Sequence, residues 1–185
     1  MQRGFTLVEL IITLFLVVIV VTVAIPSFRT TMLGIKASTL ADKLVGSTHY
    51  ARNEAITRNQ RITLCASLDG LVCDNAAGNW NRGWIATRLN PSSVPPNQTE
   101  VIRYWGIDTP DSDINLSVSN SHKVIYKGNG EAILSADGRT EVAAPNAISF
   151  QTQIAGCEEA PVLNHRRVIN VAPFGAITVS REDCQ

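Results

Sequence analysis

The chain has 185 residues with 16 Lys+Arg and 16 Asp+Glu, so its formal net charge is zero. That length leaves room for one domain and an anchor. Neutrality excludes a chain-wide basic nucleic-acid binder and leaves only a local patch open.

Residues 5–25 read FTLVELIITLFLVVIVVTVAI and hold a single charge, Glu9. An apolar helix of that length spans a bilayer. A carboxylate inside such a segment costs about 2.5–3.5 kcal/mol on the insertion scale and as a rule has a function, so Glu9 calls for a partner. Three readings fit the run: a secretory signal peptide ending near residues 23–27, a plain anchor, or a segment cut after Gly4 that keeps its helix. The length and the charge sit badly with the first, and the second gives no reason for Glu9.

The stretch Arg3-Gly4-Phe5-Thr6-Leu7-Val8-Glu9 resembles the processing site of type IV pilins and type II secretion pseudopilins. The resemblance implies a leader over residues 1–4, cut between Gly4 and Phe5 by a prepilin peptidase that then N-methylates Phe5. It also implies a transmembrane and filament-core helix over residues 5–25, with Pro26 at its end. Cleavage leaves a cationic amine on Phe5 about one helical turn from Glu9. The expectation is that in a filament the amine of one subunit neutralises Glu9 of its neighbour. Burial of such a pair is offset only where the geometry is good, so the pair is expected to set axial register.

Pro26 removes a helical hydrogen bond and predicts a kink; Gly34 is a second weak point. Beyond them Leu33, Ala37, Leu40, Leu44, Thr48, Ala51 and Ala55 recur at helical spacing, one apolar stripe. Arg29, Lys36, Lys43, Arg52 and Arg58 lie mostly off it. The expected helix runs from residue 5 to about residue 57 and is about 80 Å long, with residues 26–60 as its amphipathic half.

From residue 61 the period becomes two. Strands are predicted over 61–65, 84–89, 100–105, 114–118, 123–126, 147–153, 166–171 and 176–180. Turn signals at Asp69-Gly70, Gly128-Asn129-Gly130, Asp137-Gly138 and the proline-rich stretch 90–97 separate them. The fold class is α+β: a long N-terminal helix, transmembrane in its first half, packed on an antiparallel β-sheet or small β-sandwich. The globular β domain occupies residues 61–185.

Four cysteines, Cys65, Cys73, Cys157 and Cys184, allow three pairings. In an oxidising periplasm the favoured set is Cys65–Cys73, around the Asp69-Gly70 turn, and Cys157–Cys184, which ties down the tail. Closing the second loop contributes roughly 3 kcal/mol in the chain-entropy treatment. The spacings lack the tight hooks of structural zinc. His49, His122 and His165 have no metal-ligand spacing partners, and hydrolase, zincin and P-loop patterns are missing. Asp111-Ser112-Asp113 is a weak calcium motif. Trp80, Trp84, Tyr104 and Trp105 read as core or sheet-face residues. No enzyme activity, cofactor or metal is expected.

The stretch Tyr50-Ala51-Arg52-Asn53-Glu54-Ala55, the Cys65–Cys73 region, Trp80-Asn81-Arg82-Gly83-Trp84, and Arg166-Arg167-Val168-Ile169 followed by Pro173-Phe174-Gly175 resemble the GspH/FimT group. The resemblance implies a minor pilin or pseudopilin that primes or caps a type IV pilus or a type II secretion pseudopilus. Its partners would be prepilin peptidase and other minor and major pilins or pseudopilins. It would sit in the inner membrane as a single-pass protein with a periplasmic domain, and later near a filament tip. Some members bind DNA through Gly-Arg-x-Arg, but here that place reads Gly175-Ala176-Ile177-Thr178. Arg166, Arg167 and Arg181 remain as a modest patch, which predicts weak DNA binding at best.

Overall fold

The computed structural model describes residues 6–74, 77–90, 99–107, 113–119, 123–135, 148–155 and 166–183. One helix, α1, spans Leu7–Arg58 without a break at Gly34. The side chain of Pro26, on which the expected kink rests, lies outside the described residues. Asn59 ends the helix in the left-handed conformation at φ 50°. Its N–H bonds to Ile56 O at 3.2 Å and that of Gln60 to Ala55 O at 3.1 Å, the Schellman arrangement.

Nine described strands form two antiparallel sheets. The first has the order β3-β2-β1-β5-β6: β1 Ile62–Ala66, β2 Gly83–Leu89, β3 Thr99–Gly106, β5 Lys123–Tyr126 and β6 Ala132–Ser135. The second has the order β4-β7-β8-β9: β4 Ile114–Ser119, β7 Ile148–Ile154, β8 Arg166–Val171 and β9 Ile177–Glu182. Period-two burial is plain in β7, where Ile148, Phe150, Thr152 and Ile154 are buried in alternation.

The second half of α1 lies against both sheets. Ala37, Ala41, Leu44, Ala51 and Ala55 are buried there; their small size lets the sheets approach the helix closely. Leu33 and Leu40 are only partly buried, so the observed stripe is shifted from the sequence expectation towards Ala41 and Ser47. Ser47 earns its place by hydrogen bonding: Trp84 Nε1 donates to its Oγ at 2.8 Å, and that hydroxyl donates to Leu44 O at 2.7 Å. The buried Thr152 hydroxyl donates to Ala37 O at 3.3 Å.

Two elements have no periodic signature in the sequence. A 3-10 helix, Ala77–Arg82, drives Trp80 into the core, 4.9 Å from the Phe150 ring and 6.2 Å from Trp84 between centroids. Its Asn81 side chain also accepts the Leu116 N–H at 2.9 Å. Strand β6 is the second, set by its register against β5 from Lys123↔Ser135 to Tyr126↔Ala132.

Arg52 fastens the helix to both sheets. Its Nε donates to Gly130 O at 3.1 Å, in the β5–β6 turn, and its Nη2 to Phe174 O at 3.3 Å, in the β8–β9 turn. Ala132 N–H closes the join by donating to Pro173 O at 2.8 Å. A side chain at Gly175, where φ is +79°, would place Cβ 2.1 Å from Gly130 O and 2.8 Å from Arg52 Nε. Glycine is needed there for backbone and for space.

Candidate functional site

The first half of α1 is a stem whose described side chains are exposed, with no cover from the other described residues. Leu7 is 75% exposed, Phe15 65%, Val20 64% and Phe28 67%. Soluble monomers rarely expose a continuous apolar surface of this kind. Two of its hydroxyls are satisfied internally: Thr13 donates to Leu10 O and Thr22 to Ile19 O, each at 2.8 Å. Glu9 is the one charge between Thr6 and Phe28.

Thr6 caps the helix, its Oγ1 accepting the Glu9 N–H at 3.3 Å. Thr6 and Glu9 have the Thr-x-x-Glu spacing of a capping box, a local signal carried by the sequence itself. An acid in the first turn also suits the helix dipole, but this accounts for at most about 1 kcal/mol at an exposed end and would not offset the burial cost in lipid or a filament core. Gly4 and Phe5 lie outside the described residues, so their geometry against Glu9 is not part of this site. Among residues with described side chains, no helical stretch is long and apolar enough to cross a membrane. The described run 7–22 is about 24 Å long, against a hydrocarbon core of about 30 Å. The sequence carries the run on through Val23, Ala24 and Ile25.

Cys65 and Cys73 are bonded, with Cα atoms 5.5 Å apart; Cys157 and Cys184 lie outside the described residues. The bridged loop is held from within. Asp69 Oδ1 accepts from Leu71 N at 2.8 Å and Val72 N at 3.1 Å, and Ser67 Oγ accepts from Gly70 N at 3.0 Å. Those two backbone bonds, Leu71 first, hold the Asp69 carboxyl below its ordinary range.

Strand alternation separates the three candidate DNA contacts. Arg166 opposes Glu182 and approaches it at 3.9 Å. Arg167 opposes Arg181 on the other face. Burial, then the charge of Arg181, lowers the pKa of Arg167, while Asp42 acts the other way. Gly175, at the place of the Gly-Arg-x-Arg glycine, serves the turn against Arg52.

Trp80 and Trp84 are buried and Trp105 is partly so, with Arg103 over the Trp105 and Tyr50 rings at 5.2 and 5.1 Å. Tyr104 is exposed, its ring covering Gly70 and Gly106. His49 is exposed on α1, and His122, His165, Asp111 and Ser112 lie outside the described residues. Among the described residues, no three or more His, Cys, Asp or Glu side chains converge as metal ligands.

The family model for the type II transport protein GspH matches residues 40–165. That for the prokaryotic N-terminal methylation motif matches residues 1–25. The chain is similar in structure to the type IV minor pilin FimU of Pseudomonas aeruginosa, at 17% identity and a TM-score of 0.53, over 78% of this chain and 88% of FimU. A second crystal form of FimU gives 17% identity and a TM-score of 0.50 over 77% and 91%. The minor pseudopilin EpsH of the Vibrio cholerae type 2 secretion system matches at 12% identity over 78% and 96%, with a TM-score of 0.48, too low to argue from. No curated protein sequence matches the chain. At these identities the structural likeness carries the fold alone: a long N-terminal helix on antiparallel sheets.

Proposed function

This chain belongs to the GspH family of type II transport proteins, and from that premise we propose that it is a minor pilin-like subunit that helps prime or cap a type IV pilus or a type II secretion pseudopilus. The family and fold are those of structural subunits and not of enzymes. One observation supports the role above the others: an uncovered apolar stem with a single acid, Glu9, continuous with the helix on which the folded domain is built.

The stem residues 5–25 hold the chain in the inner membrane, with the β domain in the periplasm. Prepilin peptidase cuts after Gly4 and methylates Phe5. On assembly, other pilins or pseudopilins replace lipid around the stem. The new Phe5 amine of a neighbour then pairs with Glu9, because a lone buried carboxylate is costly and a paired one is tolerated. The bridged Cys65–Cys73 loop suits an oxidising compartment.

Glu9→Ala tests this directly. The expected result is normal cleavage and membrane insertion with incorporation into sheared filaments lost; normal incorporation would sink the reading. DNA capture has less behind it. Ala176 and Thr178 stand where the motif has arginines, and Arg166 faces away from Arg167 and Arg181.

A further inference from the structure

At 1.5 Å per residue the apolar run 5–25 is about 31 Å long, which matches a hydrocarbon core of about 30 Å. The headgroups add about 5–7 Å on each side. Helix α1 continues past the run without a break. The Cα of Phe28 therefore stands about 4–5 Å beyond that of Ile25 along the axis, and the Cα of Arg29 about 6 Å beyond it. Side chains on a helix lean towards its N-terminus, here towards the stem. With the stem in a bilayer, Phe28 and Arg29 fall in the headgroup layer.

The base of the folded domain meets α1 close to that level. Ala155 N–H donates to Asp113 O at 2.7 Å, which ties the start of β4 to the end of β7. Just above, Ile114 and Ile154 pack with Ala37, and Leu33 flanks them. Between this base and the helix lies an open groove of about 530 Å³, lined by Phe28, Arg29, Met32, Lys36, Asp113 and Ala155 among others. Phe28 is 67% exposed and Met32 40%, so the side of the groove nearer the stem is apolar. Arg29, Lys36 and Asp113 are exposed as well, and two cations against one acid leave the groove positive. Lys36 and Asp113 take part in other interactions; Arg29, at the level of the headgroups, is the group placed for a phosphate.

We propose that this groove seats an anionic phospholipid of the periplasmic leaflet, with the Arg29 guanidinium on its phosphate and Phe28 and Met32 against its glycerol end and first acyl carbons. Basic groups beside a membrane helix recognise headgroups in this way, and the planar guanidinium suits a phosphate. The inference rests on the membrane-held stem proposed above and adds to it a seat for the domain. Interfacial anchors set the tilt and rotation of a membrane helix. The bound lipid fixes how the domain base faces the bilayer before assembly, and it is released when other subunits replace lipid around the stem.

The test places the full chain in nanodiscs of phosphatidylcholine with a minority of phosphatidylglycerol, and native mass spectrometry counts the lipids that stay bound on release. Insertion is read separately, by flotation with liposomes of the same composition after an alkaline wash. Phosphatidylglycerol should be enriched about five-fold over its share of the disc, as one arginine near the surface gives. Arg29→Gln should remove the enrichment. Arg29→Lys should retain part of it, as charge without the planar fork. Arg61→Gln, which removes a cation beyond the far end of α1, should leave it unchanged. Enrichment that survives Arg29→Gln, or that falls equally in Arg61→Gln, would overturn the proposal. Loss of enrichment in the unaltered chain on adding inorganic phosphate, against chloride at equal ionic strength, would overturn it in favour of a soluble phosphate. Insertion without enrichment overturns the lipid site alone, whereas a chain that does not insert overturns the membrane-held stem and the site together.

Discussion

Leu14 and Leu44 sit on one continuous helix, yet Leu14 is 66% exposed and Leu44 is 0%. Around Leu44 the chain supplies its own cover, with two sheets, Trp84 and a stripe of alanines. Around Leu14 the described residues supply none. The side-chain chemistry is the same and the source of burial differs. The globular half is stable because its own strands exclude water. On the proposed function the stem is covered by lipid or by other stems, where every backbone group must be satisfied within the helix. A charge therefore means different things in the two halves: Arg52 finds carbonyls of its own fold, whereas Glu9, on the function proposed above, is matched by the Phe5 amine of another subunit.

The sharpest way to break this comparison is to truncate one residue from each half. Leu44→Ala should destabilise the domain by about 2–5 kcal/mol, and Leu14→Ala should leave its thermal unfolding unchanged. Equal losses would mean the halves are not distinct. Arg52→Ala comes next. It removes charge-assisted bonds worth about 1.5–3 kcal/mol and should speed hydrogen exchange at the Ala132 and Gly175 amides ahead of those in β1. Uniform loss of protection would deny Arg52 its place as the join between sheets. The smallest effect is local and depends on pH. Because the folded Asp69 carboxyl is held low by the Leu71 and Val72 amides, its contribution is present above the unfolded-chain value. That contribution is lost as pH falls through the depressed folded value. By NMR, the Leu71 and Val72 amide shifts should titrate below the ordinary aspartate range, and Asp69→Asn should abolish that titration.

Much of this architecture was legible because it is periodic. The stripe at Ala37, Leu44, Thr48, Ala51 and Ala55 repeats at helical spacing, and β7 alternates residue by residue. The stem was legible from length and its single acid. What periodicity does not encode stayed hidden. β6 is a four-residue strand whose state depends on pairing with β5. The 3-10 helix is held by what Trp80 and Asn81 touch in other elements. Arg52 read only as an off-stripe charge, since its acceptors lie 78 and 122 residues away in sequence. Arg166, Arg167 and Arg181 read as one patch along the chain, and strand alternation divides them between two faces.

The claim on which the account turns is that the stem is retained and its new amine partners Glu9. Mass spectrometry of purified filaments tests this most directly. The account predicts a minor component beginning at an N-methylated Phe5, absent when the gene carries Glu9→Ala. A filament-borne chain that keeps Met1 to Gly4, or one shorn of its apolar stem, would contradict it.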